Sequence, residues 1–414
     1  MTLGTHRLRV LRHARFRRFL LGQTTSLLGS GMNTIAATFA VLRLPGGGVD
    51  AVGGVMAVRI LAVLVVLLLG GVFTDRRGAR TVMLAADSLR FGSQAVLALL
   101  LLTGSARLWE VVVLAVLLGL GEGGFMPGLS ALVPGLVPED ELASANALLG
   151  MARPVTSIVG PGLAGLLVAA FDAGTVVAVD AVSYGVSVVA LVGLPVARVP
   201  ACGRGLVSEL GRGWREFTSR TWLWVTTLHI GLFNFFLWAP FLVLGPSIAE
   251  RRLGGARAWG LVLASEGVGA IVGGLLLLGR NPRRGLTWSV AASAGWAVPV
   301  AALAMGLPLA WVAGAAFVAG NGAAVCTTLA ATVIQRDIPA EVRGRIGAFD
   351  SLGAFALGPL GLALAGPVSG VVGAERLLGF GVLWQVTAVG VVLTVPSVRR
   401  HEATPHEERR VAVH

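Results

Sequence analysis

With 414 residues, 55% of them apolar and only 13% charged, and a mean hydropathy of +0.81, the chain is not a cytosolic enzyme; soluble globular proteins carry about 25% charged residues. All 33 basic residues are arginine, so no P-loop lysine is available to reach the phosphates of ATP. Cys202 and Cys326 match no metal or disulfide spacing, and neither H-E-x-x-H nor G-x-S-x-G occurs. The sequence therefore predicts no enzyme, no cofactor and no ATP as partner.

The apolar residues fall into blocks of about 20, the length of helix that crosses a hydrocarbon core. They predict an all-α membrane protein with spans near 18–43, 50–73, 80–102, 108–131, 142–170 and 173–196, then 221–246, 256–279, 285–306, 308–333, 342–371 and 375–397. The runs lack the two-residue alternation of barrel strands. The first is too long for a cleaved signal peptide and lacks a clear cleavage site, so it is expected to stay as a span.

In chain order, span one offers Gln23 and Asn33 as hydrogen-bonding candidates, with bonding between helices as the alternative. Span two carries Arg59, a charge at bilayer depth that needs a partner on another helix. The connection that follows holds Gly71, Asp75, Arg76, Gly78 and Arg80, where glycines permit a tight turn and an ion pair beside a helix end is suited to a gating latch. Asp87 and Arg90 in span three stand three residues apart and are expected to pair on one face. Glu122 in span four, between Gly121 and Gly123, is the first candidate for proton coupling or substrate binding, and Glu266 in span eight the second. The alternative for Glu122 is a buried salt bridge to Arg59, Arg90 or Arg153, the last an isolated charge in span five. Asp180 in span six and Asp350 in span eleven complete the acidic set.

Residues 198–220 turn polar, and Leu206, Leu210, Trp214 and Phe217 share one helical face. That amphipathic linker is suited either to the lipid surface or to packing on the protein. Span seven then brings His229, Asn234 and a cluster of Phe233, Phe235, Phe236 and Trp238, candidates for a cavity lining or for helix contacts, while Trp222 and Trp224 read as interfacial anchors. Asn321 in span ten is the last cavity candidate.

Two halves resemble each other. Val137-Pro138 with Gly160-Pro161 is echoed by Ile338-Pro339 with Gly358-Pro359, and Gly70-Gly71 with Arg76-Arg77-Gly78 by Gly273-Gly274 with Arg283-Arg284-Gly285. The expected organisation is a six-helix bundle at 1–197, a cytoplasmic linker at 198–220, a second six-helix bundle at 221–398 and a cytoplasmic tail at 399–414. Such parallel repeats pack about an axis along the membrane normal with a cavity between them. In this topology 24 arginines lie on one face and 6 on the other, which puts both termini in the cytoplasm. The same bias accounts for the net charge of +12 without a nucleic-acid partner.

The string Gly71-Val72-Phe73-Thr74-Asp75-Arg76-Arg77-Gly78-Ala79-Arg80 resembles the signature between spans two and three of the major facilitator superfamily, departing at Ala79, where an arginine is usual. Phe125-Met126-Pro127, Ala145-Asn146-Ala147-Leu148 and Gly160-Pro161 are similar to the transmembrane secretion effector branch, which includes siderophore exporters and macrolide efflux pumps. Gly160, Pro161 and Gly165 partly match the fifth-span signature of drug/proton antiporters, while the arginine many of these carry before Gly121 is replaced here by an apolar stretch. The all-arginine basic set with abundant Ala, Gly and Val points to a GC-rich bacterial genome and hence to a bacterial plasma membrane. The resemblance implies a secondary transporter, expected as a monomer. Its expected partners are lipid, protons and a small-molecule substrate, and its expected action is rocker-switch export of a hydrophobic or amphipathic compound. An importer on the same fold, or a non-transporting receptor or scaffold, is the alternative.

Overall fold

A computed structural model describes residues 9–138, 141–194, 214–278, 280, 282–338 and 340–401. Twelve helices among them are long and apolar enough to cross a membrane. They are α1 (Ala14–Arg43), α2 (Val49–Arg77), α3 (Ala79–Leu102), α4 (Leu108–Leu132), α5 (Leu142–Ala170) and α6 (Ala173–Val192). There follow α7 (Thr221–Leu253), α8 (Gly255–Leu277), α9 (Gly285–Ala304), α10 (Leu309–Asp337), α11 (Ala340–Phe355 continued by Gly358–Val372) and α12 (Ala374–Thr394). Every predicted span is matched by one of these helices. The largest difference is α7, which runs on past its expected end to Leu253 through two π-helical turns, Asn234–Trp238 and Ala249–Leu253. Pro246, which has no N–H for the ladder, lies in the α-helical stretch between the two π turns.

Outward faces carry Val189, Leu383 and Val371, all exposed. An apolar belt of this kind requires lipid, not water, around it. Trp109 and Trp311 sit exposed in the first turns of α4 and α10, where indoles meet the headgroups.

The chain divides into two compact units. The first takes the residues up to Gly203 together with Ala239–Gly267 and Gly358–Ala374; the second takes Arg204–Trp238, Val268–Leu357 and the residues from Glu375. In the first unit, α1 packs on α6 and α5, and α3 on α6 and α4. Gly165 and Gly260 meet so closely that a Cβ at Gly260 would stand 3.0 Å from the Gly165 Cα. The Gly160-Pro161 step abuts Gly31 of α1 in the same way. The antiporter-like motif thus works here as a packing surface between α1, α5 and the early part of α8. In the second unit an apolar core of Leu223, Leu286, Val290, Val333, Ile346 and Val389 joins α7, α9, α10, α11 and α12.

Most of the amphipathic linker lies outside the described residues, as do Pro339 and the tail beyond His401. Its described end packs on the protein: Trp214 stacks on Phe217 and meets Phe349 of α11 edge-on. Trp222 is buried with its ring 5.0 Å from that of His401, so it is no lipid-facing anchor, whereas Trp224 is exposed. The aromatic cluster of α7 serves helix contacts, Phe233 against Trp296 and Phe236 against Phe380 and Trp384.

Candidate functional site

The polar residues of the first unit converge because their spacing puts them on single helix faces. Asp87, Arg90 and Gln94 recur at three and four residues along α3, and Asp180, Tyr184 and Ser187 do so along α6. The two faces meet. Arg90 donates to Asp87 Oδ1 at 2.8 Å and to the Tyr184 hydroxyl at 3.1 Å, its guanidinium lying 4.1 Å from the Tyr184 ring centroid. Ser187 donates to the other Asp87 oxygen at 2.5 Å. Gln94 donates to Asp180 at 2.8 Å, and Tyr184 reaches Ser30 of α1 at 2.9 Å. Asp87, Asp180 and Tyr184 are fully enclosed, so the network sits in low dielectric, where each partner is needed. A Cβ on Gly121 would come within 2.5 Å of the Arg90 Cγ, so a glycine is what lets the arginine stem cross α4.

Beside this network lies a second ion pair. Arg59 of α2 holds Glu122 of α4 through Nη2 at 3.0 Å and Nε at 3.2 Å. Of the alternatives open for Glu122, the salt bridge to Arg59 is the one formed. The pair is not sealed: the side chains are 24% and 41% exposed. Arg59 also lines a cavity of about 60 Å3 between α1, α2, α3 and α4, with Asn33, Thr34, Thr38 and Gln94 as its other polar walls and Val52, Met56 and Leu118 among the apolar ones. Asn33 is buried, and its Oδ1 has no hydrogen-bond partner among the described residues.

The other candidates scatter. Arg153 is exposed and, among the described residues, reaches only the Met126 sulfur at 4.0 Å. Glu266 on α8 makes no ion pair among the described residues and stands apart from the cavity. Gln23 is buried, and its Oε1 has no partner among the described residues. In the second unit Asn234 donates to the Ala354 carbonyl at 2.8 Å, a helix contact, and Asn321 lends its main chain to a close approach on Gly273. His229 meets Ser293 at 3.1 Å, and Asp350 accepts a hydrogen bond from Thr227.

Of the loop signature, Gly71, Asp75 and Arg76 lie outside the residues whose side chains are described. Gly78 takes φ +83°, a left-handed turn that suits glycine. Arg80 donates to the carbonyls of Leu191 and Val192, and Arg18 to that of Val189. Two cations therefore cap the carboxyl end of α6, where the helix dipole is negative. Tyr184 and Ser187 were missed from sequence; the signal was there, since the only tyrosine sits in register with Asp180 on a helix otherwise of small and apolar residues.

Twelve helices long and apolar enough to cross a membrane, with an ion pair and a small, mostly apolar cavity among them, describe a multi-pass membrane protein. The family model of the Major Facilitator Superfamily matches residues 19–362, and the chain belongs to that superfamily. It is 28% identical over 267 residues to the multidrug efflux pump Tap of Mycobacterium tuberculosis (strain ATCC 25618 / H37Rv), the match covering 61% of each chain. It is 27% identical over 290 residues to the enterobactin exporter EntS of Escherichia coli O1:K1 / APEC, covering 67% of each. The match to Tap thus spans about three-fifths of that relative's length. Among solved structures, the nucleoside transporter NupG superposes with a TM-score of 0.68 at 11% identity, over 92% of this chain and 98% of that one. The peptide transporter POT in complex with sulfate gives 0.68 at 13%, over 94% and 96%. At these identities the structures speak for the fold alone.

Proposed function

We propose that the chain exports a hydrophobic or amphipathic small molecule across a bacterial plasma membrane in exchange for protons, its two six-helix bundles at 1–197 and 221–398 rocking about a shared cavity with both termini cytoplasmic. The efflux relatives support the direction, and the arginine asymmetry supports the orientation. The observation that carries the coupling is the Arg59–Glu122 pair, two charges midway along their spans, part exposed, with Arg59 on the cavity wall. Charges at that depth are costly and are kept where they work.

The pair supplies a physical rule for exchange. With Glu122 ionised, its charge cancels that of Arg59, and the cavity offers a neutral, mostly apolar wall to a hydrophobic guest. A proton on Glu122 leaves Arg59 uncompensated, and the wall becomes positive, which disfavours an apolar or cationic guest. Cargo and proton then exclude one another, as antiport requires.

Ethidium efflux from cells expressing the chain tests this reading. Glu122→Gln mimics the permanently protonated carboxyl and should abolish efflux while the protein inserts at its normal level. Undiminished efflux by that variant refutes the coupling role. In inverted vesicles an acid lumen should drive ethidium inward, whereas an importer would not respond in this way.

A further inference from the structure

The second unit holds a cavity that the coupling pair does not use. It measures about 110 Å3 and is lined by Trp222, Thr227, His229, Ser289, Cys326 and Asp350, with Ile230, Leu286 and Ile334 among its apolar walls. At about 30 Å3 per water it has room for three or four waters, or for one quaternary ammonium head. Three features give it a chemical preference. Asp350 accepts a hydrogen bond from Thr227 and has no ion-pair partner among the described residues. His229 is buried, and its Nδ1 has no partner among the described residues, although Nε2 is held at 3.1 Å by Ser293. The remaining hydroxyls are spent on main chain: Ser289 donates to the Cys326 carbonyl at 2.7 Å, and Thr226 to the Trp222 and Leu223 carbonyls at 2.9 Å.

Every other carboxylate resolved deep in the first-unit network has a cation or an amide donor: Asp87 has Arg90, Glu122 has Arg59 and Asp180 has Gln94. Glu266 also lacks an ion pair among the described residues, but it is Asp350 that lines a cavity shared with an aromatic ring, with a hydroxyl to hold it. A carboxylate with no ion-pair partner among the described residues, in a cavity that an indole also lines, favours a cation by Coulomb attraction and, where the ring can be reached, by cation–π contact. The geometry points to a recognition site for the organic ammonium head of an amphipathic cargo, with Asp350 as its counter-ion, Trp222 as its aromatic wall and the apolar remainder of the cargo extending outside. This deepens the export reading above. In the proposed orientation the site lies at the cytoplasmic end of α7, the side from which an exporter loads.

Cys326 provides the readout. In a Cys202→Ser background, Cys326 is the sole thiol, and its modification by methyl methanethiosulfonate is followed by mass spectrometry on the purified, full-length protein. Benzyltrimethylammonium should slow the modification at least tenfold, while its neutral isostere neopentylbenzene should leave the rate unchanged. Asp350→Asn should be modified at the unliganded rate with or without the cation, Asp350→Glu should regain protection, and Trp222→Leu should weaken it several-fold. Equal protection by the cation and its isostere, or full protection in Asp350→Asn, overturns the site. Should Asp350→Asn fail to insert, the comparison of cation with isostere on the parent protein decides by itself. No step of the assay requires transport. A chain that binds the cation without exporting ethidium sinks the export reading and leaves this site standing, whereas efflux without protection does the reverse.

Discussion

Asp87 and Arg90 show how a single pair can be read from spacing while its neighbourhood cannot. Three residues of separation on a helix put the two side chains on one face, and they bond at 2.8 Å. What the spacing does not contain is Tyr184, whose ring lies against the guanidinium, or Ser187, which satisfies the second carboxylate oxygen. Removing one member of a buried pair leaves the other charge uncompensated and costs about 3–5 kcal/mol. Asp87→Asn should therefore lower the thermal unfolding midpoint of the detergent-solubilised protein sharply, and an unchanged midpoint would show that Arg90 needs no counter-charge. Gly121 makes a second case. Gly121→Ala pushes a methyl to within 2.5 Å of the Arg90 stem, and overpacking of this kind costs about 1–3 kcal/mol. The same midpoint measurement reads it, and an unshifted value would mean that Arg90 has another path across α4.

Helices were legible as elements, because twenty apolar residues without interruption have no other stable state in a bilayer. Their ends were less so. The span of α7 is expected to end at 246, yet the helix continues to Leu253 through a π turn at Ala249–Leu253, where Arg251 bonds back to the Ser247 carbonyl. The connecting signature was read as a latch, and its last member does something local that the motif does not announce. Arg80 caps α6, a helix more than a hundred residues later in the chain. A cation at a helix carboxyl end is worth about 0.3–1 kcal/mol. Arg80→Ala should leave insertion intact and raise deuterium exchange in the last turn of α6, around Leu191–Leu194. Unchanged exchange there would remove the capping role.

At the scale of the molecule, the count of twelve helices carries the topology. In a Cys202→Ser, Cys326→Ser background, Ser105→Cys in the α3–α4 connection and Gly306→Cys in the α9–α10 connection should react with an impermeant maleimide added to intact cells. His401→Cys should react only after the membrane is opened. Labelling of His401→Cys from outside would invert the orientation and with it the direction proposed for cargo. Membership of the Major Facilitator Superfamily makes the transport class secure, while the proposed direction rests on the efflux relatives and the proposed cargo on the cavities.

By itself the sequence determined that this chain lives in lipid, how many times it crosses, and that charges inside the spans would have to find one another. Those properties follow from composition and from the energy of polar groups in hydrocarbon, which act along the chain and need no knowledge of neighbours. Only the tertiary structure decided that Glu122 belongs to Arg59 and not to Arg90 or Arg153, and that Asp350 faces a cavity beside Trp222. Partner choice between helices depends on how close two backbones come and on which faces they turn to each other. Small residues such as Gly121 and Gly165 set those distances, and their effect appears only when the helices are packed.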